Sequence, residues 1–461
     1  MEAYHSFLNE LVNKQSGEFY ESWRIKWITY FEARKKEVER DEIIDSFGDQ
    51  VKWGFKDTRP WINRVSEGCR LCGEGEWSCL FITGKCNAHC FYCPSSQDSD
   101  DLPSSQQMTF TRPEQYARYL KEFQFKGCSF SGGEPLMEKE RVMNFLRIIR
   151  REVHPVPYTW MYTNGILANR DFFKMMAEAG LNEIRFNIGA VGYSLDAIRM
   201  AKGVIPVITV EIPAVPESSY QLKKLLPVMI DLGVDHLNLH QLRLTRYNAP
   251  HMLRRNYTYL HGERPTVLES ELAALEMIRY VKENNLDIGV NYCGFQYKNR
   301  FQKAGYRRKI ARRAQRSHYI TENGYAVRVY GTEKIMDPDQ KLSMVQIREQ
   351  HRRKELVEIL PERFETGIRY FNTLIFYFTG STLSPASSFT DTMNTVDDNL
   401  LPGEIFAYET APASYPVIVS SGKKDPLLKM LNSDGSDIPE DPTLFRIWKC
   451  WFIESGLRPY F

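Results

Sequence analysis

Cys79-Leu80-Phe81-Ile82-Thr83-Gly84-Lys85-Cys86-Asn87-Ala88-His89-Cys90-Phe91-Tyr92-Cys93 is the stretch on which the reading of this chain turns. A short apolar run ends in Thr-Gly, and three cysteines follow with three and then two residues between them. On a loop this spacing lets three sulfurs converge on one small object. Thiolates are soft ligands and select zinc, copper(I) or iron–sulfur clusters. Three ligands with no obvious local fourth leave one metal position open to a substrate or cofactor. His89 could complete a zinc site, yet beside Cys90 it would tend to point away.

The rest of the cysteine content supports metal over crosslinking. Nine cysteines stand at 69, 72, 79, 86, 90, 93, 128, 293 and 450, six of them within 25 residues. An odd total in a 461-residue chain is not a secreted disulfide scaffold. Hydrophobic residues at 43% and charged residues at 26% describe a globular chain, too apolar for disorder. A net charge of +2 selects neither nucleic acid nor membrane. No apolar run approaches the ~18 residues of a spanning helix, and the start lacks the pattern of a secretory signal. The expectation is a soluble, cytoplasmic protein with no membrane partner.

Outward from the cysteine loop, apolar runs alternate with amphipathic stretches from about 78 to 292. The strand candidates are Cys79–Thr83, Cys128–Ser131, Tyr158–Thr163, Glu183–Ile188, Val207–Ile212, His236–Gln241 and Ile288–Tyr292. Between them the spacing predicts helices over Pro113–Phe123, Lys139–Arg151, Arg170–Ala179, Gln221–Leu232 and Leu268–Asn284. Strand–helix alternation with short loops implies a parallel sheet, because each crossover needs a helix to return the chain. Active sites in open or closed α/β barrels sit at the strands' carboxyl ends, where the Cys86 group lies.

Residues 1–68 read as a helical, aromatic extension, with Phe7, Leu8, Leu11 and then Trp23, Trp27, Tyr30 and Phe31 at helical spacing. Residues 69–295 form the core with its preceding Cys69-x-x-Cys72. Residues 296–340 hold a basic helix, expected after Gly305, and a hairpin at Glu322-Asn323-Gly324. Residues 341–461 read as α+β: a helix over Leu342–Leu360, strands at Arg369–Phe378, Ile405–Thr410 and Val417–Ser420, a polar loop near 381–403, and a last helix begun by Asp441-Pro442 with Leu444, Trp448 and Trp451 buried.

The cysteine loop resembles that of the radical SAM superfamily: CxxxCxxC at Cys86, Cys90 and Cys93, with Tyr92 before the last cysteine. A second match, Gly132-Gly133-Glu134-Pro135, follows the second strand. The resemblance implies a partial parallel (β/α)6-type barrel, with Ile288–Tyr292 as a seventh strand. It also implies a [4Fe–4S] cluster on the three cysteines whose fourth iron binds S-adenosylmethionine (SAM), with Glu134 accepting from the ammonium of its methionine moiety. Thr163-Asn164-Gly165 resembles the motif after the third strand, and Arg185 and Asn187 lie where polar groups meet SAM; alternation puts those two on one face. Glu211 and His240, at the fifth and sixth strands, are the acid–base candidates. A lone strand-end histidine also reads as a satisfied hydrogen-bonding group. Gly68-Cys69-Arg70-Leu71-Cys72-Gly73, Leu80–Gly84 and Asn291-Tyr292-Cys293 look like a mainly archaeal group related to pyruvate formate-lyase activating enzymes.

Cys69, Cys72 and Cys293 form a candidate second set, with Cys79 a weaker fourth near the opposite rim. An auxiliary iron–sulfur cluster, a structural zinc or unliganded thiols are the readings for it. Cys128 and Cys450 read as buried small hydrophobes. The resemblance implies an outside electron donor, such as flavodoxin or ferredoxin, and cleavage of SAM to a 5′-deoxyadenosyl radical that takes hydrogen from a small-molecule, peptide or protein substrate. Two alternatives stand beside it. One is modification of tRNA or rRNA, with the cations of 298–316 on phosphates and Tyr297, Phe301 and Tyr306 stacking on bases. The other is a non-catalytic iron–sulfur protein.

Overall fold

The computed structural model describes residues 22–106, 108–262, 264–314, 320–332, 373–379, 405–409, 416–419, 424–431 and 433–461. Two compact units divide at Lys303: one is Lys303–Glu454, and the other comprises the described residues before it together with Ser455–Phe461. The boundary falls seven residues beyond the 295/296 division read from composition, since Gln296–Gln302 pack with the core.

In chain order the first unit contains α1 (Tyr30–Asp45), β1 (Val51–Gly54), β2 (Arg59–Ile62), α2 (Glu67–Glu74), β3 (Trp77–Thr83), β4 (Ser104–Ser105), β5 (Met108–Thr109), α3 (Pro113–Glu122), β6 (Gly127–Gly132) and α4 (Lys139–Glu152). Then come β7 (Tyr158–Thr163), α5 (Arg170–Glu178), β8 (Glu183–Phe186), α6 (Asp196–Ala201), β9 (Val207–Pro213), α7 (Ser219–Asp231), β10 (His236–His240), the two-stranded β11 (Tyr259–Leu260) and β12 (Thr266–Val267), α8 (Leu268–Glu283) and β13 (Gly289–Cys293). β13-β10-β9-β8-β7-β6-β3 is a run of seven parallel strands, extended by antiparallel β2-β1 at one edge and β4-β5 at the other. All seven strand candidates and all five helix candidates form within a few residues of their expected ends.

The helices exist because one face of each is apolar. In α4, Val142, Phe145, Leu146 and Ile149 are buried at three- and four-residue intervals. The strands are buried on both sides, as parallel strands with helical crossovers are. Their faces nonetheless differ. Ile184, Val210, Leu237, Leu239 and Val290 occupy one face, while Arg185, Glu211, Asn238, His240, Asn291 and Cys293 alternate onto the other. The inner face of the partial barrel is therefore polar, and its charges need internal partners.

Among the described residues the helical reading of residues 1–68 holds for α1 and for the first two residues of α2. Thr29 caps α1 in a reciprocal pair with Glu32. Trp23 lies in a separate short turn and is 77% exposed, and Phe31 is 84% exposed, so the aromatic spacing marks no packed face. β1 and β2 are four-residue strands, too short to show a period, and β2 joins the sheet by antiparallel pairing with β13. Phe7, Leu8 and Leu11 lie outside the described residues.

The second unit contains α9 (Lys303–Ala314), β14 (Ala326–Thr332), β15 (Thr373–Thr379), β16 (Ile405–Glu409), β17 (Pro416–Val419), α10 (Lys424–Leu431) and α11 (Pro442–Trp451). Its four strands form one sheet in chain order. The Asn-Gly turn forms, with Gly324 N–H donating to the Thr321 carbonyl and Thr321 N–H to the Tyr325 carbonyl; residues 315–319 before it lie outside the described residues, and β14 after it pairs in parallel with β15. Asp441 caps α11 through Leu444 N–H at 3.1 Å, and Leu444, Trp448 and Trp451 are buried as expected. The helix over 342–360 and the loop 381–403 lie outside the described residues. Among the described residues no helix is long and apolar enough to cross a membrane.

Candidate functional site

The cysteine loop leaves β3 beside the end of β6, and backbone hydrogen bonds close the gap. Gly133 N–H donates to the Thr83 carbonyl and Glu134 N–H to the Lys85 carbonyl, both at 2.8 Å. A Cβ on Gly133 would overlap that Lys85 carbonyl, and Gly132 holds φ +127°. Glycine is required here because two chain segments touch.

Glu134 then joins three strand ends. Its buried carboxylate accepts from Leu136 N–H (2.9 Å), the Thr163 hydroxyl (2.7 Å) and Asn164 N–H (2.6 Å). Burial raises its pKa and these donors oppose the rise. Oε1 takes two donors and Oε2 one, so Oε2 keeps one position for a ligand's ammonium. Pro135 starts a short turn over Pro135–Glu138. Asn164 donates to Asn87 at 2.8 Å and lies 3.7 Å from the Cys86 sulfur. Tyr92 donates its hydroxyl to Asn187 at 2.9 Å. Tyr92, Glu134, Asn164 and Asn187 are thus brought together around the loop, although Asn187 stands one residue past β8.

Cys86, Cys90 and Cys93 are partly buried and unbridged. Burial raises Cys86 and pushes Cys90 up to about 11, with neighbouring sulfurs adding to both. Thiols that oppose one another's ionisation deprotonate together when a cation sits among them, since coordination removes the thiol proton outright. This donor set fits an iron–sulfur cluster. Among the described residues no three His, Cys, Asp or Glu side chains close on a single ion. A cubane cluster asks for less convergence, because each thiolate binds its own iron.

Arg185 is not beside that loop's asparagines. It is 2% exposed, and its five N–H donors meet five acceptors: both oxygens of Glu183, Glu211, the Tyr162 hydroxyl and the Ser66 hydroxyl. Arg185 and Asn187 therefore face different partners, Asn187 meeting Tyr92 at the cysteine loop. The same network holds the expected acid–base pair. His240 donates Nε2–H to Glu211 at 2.5 Å. Burial would raise Glu211, but Arg185 and His240 hold it well below the usual carboxylate range. Burial, then Lys298, pushes His240 down.

Cys69 and Cys72 enter this interior from α2, whose Ser66 cap accepts from Cys69 N–H at 3.1 Å. The Cys69 sulfur accepts from Asn238 Nδ2 (3.1 Å), which also donates to Glu211 (2.9 Å). Asn291 donates to Asn238 and accepts from Cys293 (3.2 Å) and from Arg59 (2.9 Å). Arg59 also reaches the Cys69 carbonyl and the Tyr297 hydroxyl. Burial, then Cys69, raises Cys72, and burial pushes Cys293 up to about 11 against the pull of Arg59. Cys79 has other partners, the hydroxyls of Ser129 and Ser131. Cys128 and Cys450 are buried, as expected of small hydrophobes. Arg59 carried no signal in the sequence, since residues 1–68 read as a helical extension and its four-residue strand is too short to show a period. Asn291 could have been found by noting that it shares a strand face with Cys293.

Residues 80–203 match the family model of the Radical SAM superfamily. A protein of Methanocaldococcus jannaschii, named as a glycyl-radical enzyme activating enzyme, is 28% identical over 283 residues, covering 58% of this chain and 73% of its own. The GTP 3′,8-cyclase of Rhodopirellula baltica is 33% identical over 110 residues, so the chain spans 30% of that relative and 24% of itself is matched. The crystal structure of Streptococcus suis SuiB bound to S-adenosylmethionine aligns at 14% identity and a TM-score of 0.37, covering 56% of this chain and 60% of that one. The chain carries a radical SAM superfamily domain, built around the CxxxCxxC loop, and is a radical SAM enzyme.

Proposed function

We propose that this enzyme takes a hydrogen atom from a residue of a partner protein, glycine being the leading candidate, with an electron supplied by a flavodoxin- or ferredoxin-like donor. The observation that carries this reading is the match to the M. jannaschii activating enzyme, which runs well beyond the superfamily domain and over 73% of that relative. When bound, the [4Fe–4S] cluster and SAM together supply a radical able to attack an unactivated C–H bond.

The chain's own part is to hold and to shield. Tyr92 and Asn187 fix the cysteine loop against β8, and Asn164 fixes Asn87 beside Cys86. Glu134 would accept from the SAM ammonium at its remaining Oε2 position. Glu211 and His240 are committed to each other and to Arg185 and Asn238, so a positioning role suits them better than proton exchange with substrate.

The RNA reading loses two of its three stacking residues. Tyr297 is fully buried and stacks on buried Phe301. Arg307 and Arg308 donate to the turn at Asn323 and Glu322. A non-catalytic iron–sulfur protein would have no use for the Gly132–Pro135 cradle.

The test is SAM cleavage by the anaerobic, reconstituted, reduced protein, followed by deuterium transfer into 5′-deoxyadenosine. The donor would be a Cα-deuterated-glycine protein extract freed of small molecules by ultrafiltration. Label from the protein fraction is expected. Label arising only from the filtrate would sink the protein-substrate reading while leaving SAM cleavage intact.

A further inference from the structure

The polar face of β10 and β13 and the helix α2 bring four ligand-type side chains to one buried place. Asn238 registers with Asn291, and His240 with Cys293. The Asn238–Asn291 side-chain hydrogen bond shows that both rows point to the same side. Period two then puts His240 and Cys293 on that side, one step nearer the strands' carboxyl ends. Cys69 reaches the same row from α2, because its sulfur accepts from Asn238. Cys72 lies one turn along the same helix face and shares the field of Cys69, Cys293, Arg185 and Arg59.

His240 shows the arrangement of a metal-bound histidine. Its Nε2–H is given to the Glu211 carboxylate, which sets the tautomer and leaves Nδ1 as a bare lone pair. That Nδ1 is buried and has no hydrogen-bond partner among the described residues. An orphaned buried acceptor is costly unless something else occupies it.

We propose that Cys69, Cys72, Cys293 and the Nδ1 of His240 ligate a second iron–sulfur cluster, separate from the one on the CxxxCxxC loop. Tetrahedral zinc, with Zn–S near 2.3 Å, wants sulfurs about 3.8 Å apart. Among the described residues no three His, Cys, Asp or Glu side chains converge on one ion, whereas in a cubane each ligand binds its own iron and need not converge. Charge agrees with this. Arg59, Arg185 and Lys298 outnumber Glu183 and Glu211 by one around the interior. A dicationic cubane core with three thiolates and a neutral imidazole carries a single negative charge. With all four positions held by the protein, this cluster has no open iron for SAM or substrate, and its place does not depend on which substrate is used.

The experiment is anaerobic iron, sulfide and zinc counting with EPR on the full-length Cys86→Ala/Cys90→Ala/Cys93→Ala variant, which leaves the interior untouched. About half of the wild-type iron is expected to remain, with a reduced-state signal that added SAM does not alter. His240→Ala in that background should change the signal, and exogenous imidazole should restore it. No iron, or stoichiometric zinc in its place, overturns the cluster. An EPR signal indifferent to His240→Ala overturns the histidine ligand. Circular dichroism on each variant separates metal loss from unfolding.

Discussion

Tyr92 donates its hydroxyl to Asn187 at 2.9 Å, and this bond ties the loop carrying Cys90 and Cys93 to the end of the fourth parallel strand. The hydroxyl also lies where a side chain on Gly189 would meet it, at 2.7 Å from a Cβ there. A residue adjacent to Cys93 is thereby positioned by a strand more than ninety residues away. Tyr92→Phe should cost about 1 kcal/mol of loop anchoring. Faster loss of the loop cluster on exposure to air and weaker SAM binding are expected. Wild-type values for both would show that the ring alone anchors the loop.

Gly133→Ala should prevent closure between β3 and β6, because the added methyl collides with the Lys85 carbonyl. Iron retention and SAM cleavage are expected to fall at least tenfold, with the far-UV spectrum largely kept. Gly203→Ala is the control for backbone strain without a collision, since its φ is +67° and nothing lies within 4 Å of a Cβ there. Equal iron loss in both variants would attribute the effect to general destabilisation.

Glu134→Gln keeps the shape but replaces one acceptor oxygen by an NH2, which then faces either Asn164 N–H or the pair of Leu136 N–H and the Thr163 hydroxyl. A loss of about 1–3 kcal/mol in denaturant unfolding is expected. A carboxylate whose role lay only in SAM binding would leave stability unchanged and raise the SAM dissociation constant alone.

His236 is buried at the start of β10, and burial pushes its pKa down from 6.5 to about 4, with Asp235 opposing. The unfolded chain takes up a proton that the folded one refuses. Its contribution is fully present above about pH 6.5 and is lost as the pH falls toward 4. Between neutrality and about pH 5 this amounts to about 2 kcal/mol. His236→Gln should flatten the stability profile over that window; an unchanged slope would assign the acid loss to other groups.

Much of this molecule was legible in the sequence. The alternation from residue 78 to 292 located seven strands and five helices, because a strand buried between helices must be apolar and a crossover helix must show one apolar face. The cysteine loop and Gly132-Gly133-Glu134-Pro135 were legible because they act through local spacing. Direct contact between their backbones is what the glycines permit.

Other features depended on pairing between distant segments. Alternation told which face Arg185 occupies but not which partners that face holds, and Glu183, Glu211, Tyr162 and Ser66 take all of its donors. Four residues around Arg59 show no period, yet pairing with β13 makes them a strand and brings their guanidinium to Asn291 and Cys69. Tyr297 looked available for stacking, whereas packing on Phe301 buries it. The sequence by itself determined the parallel α/β core and the grouping of three cysteines on one loop, since hydrophobic period and short-range spacing carry that information. Only the tertiary structure decided that His240 shares the polar inner face with Cys69, Cys72 and Cys293, because that depends on strand register and on where α2 enters the barrel.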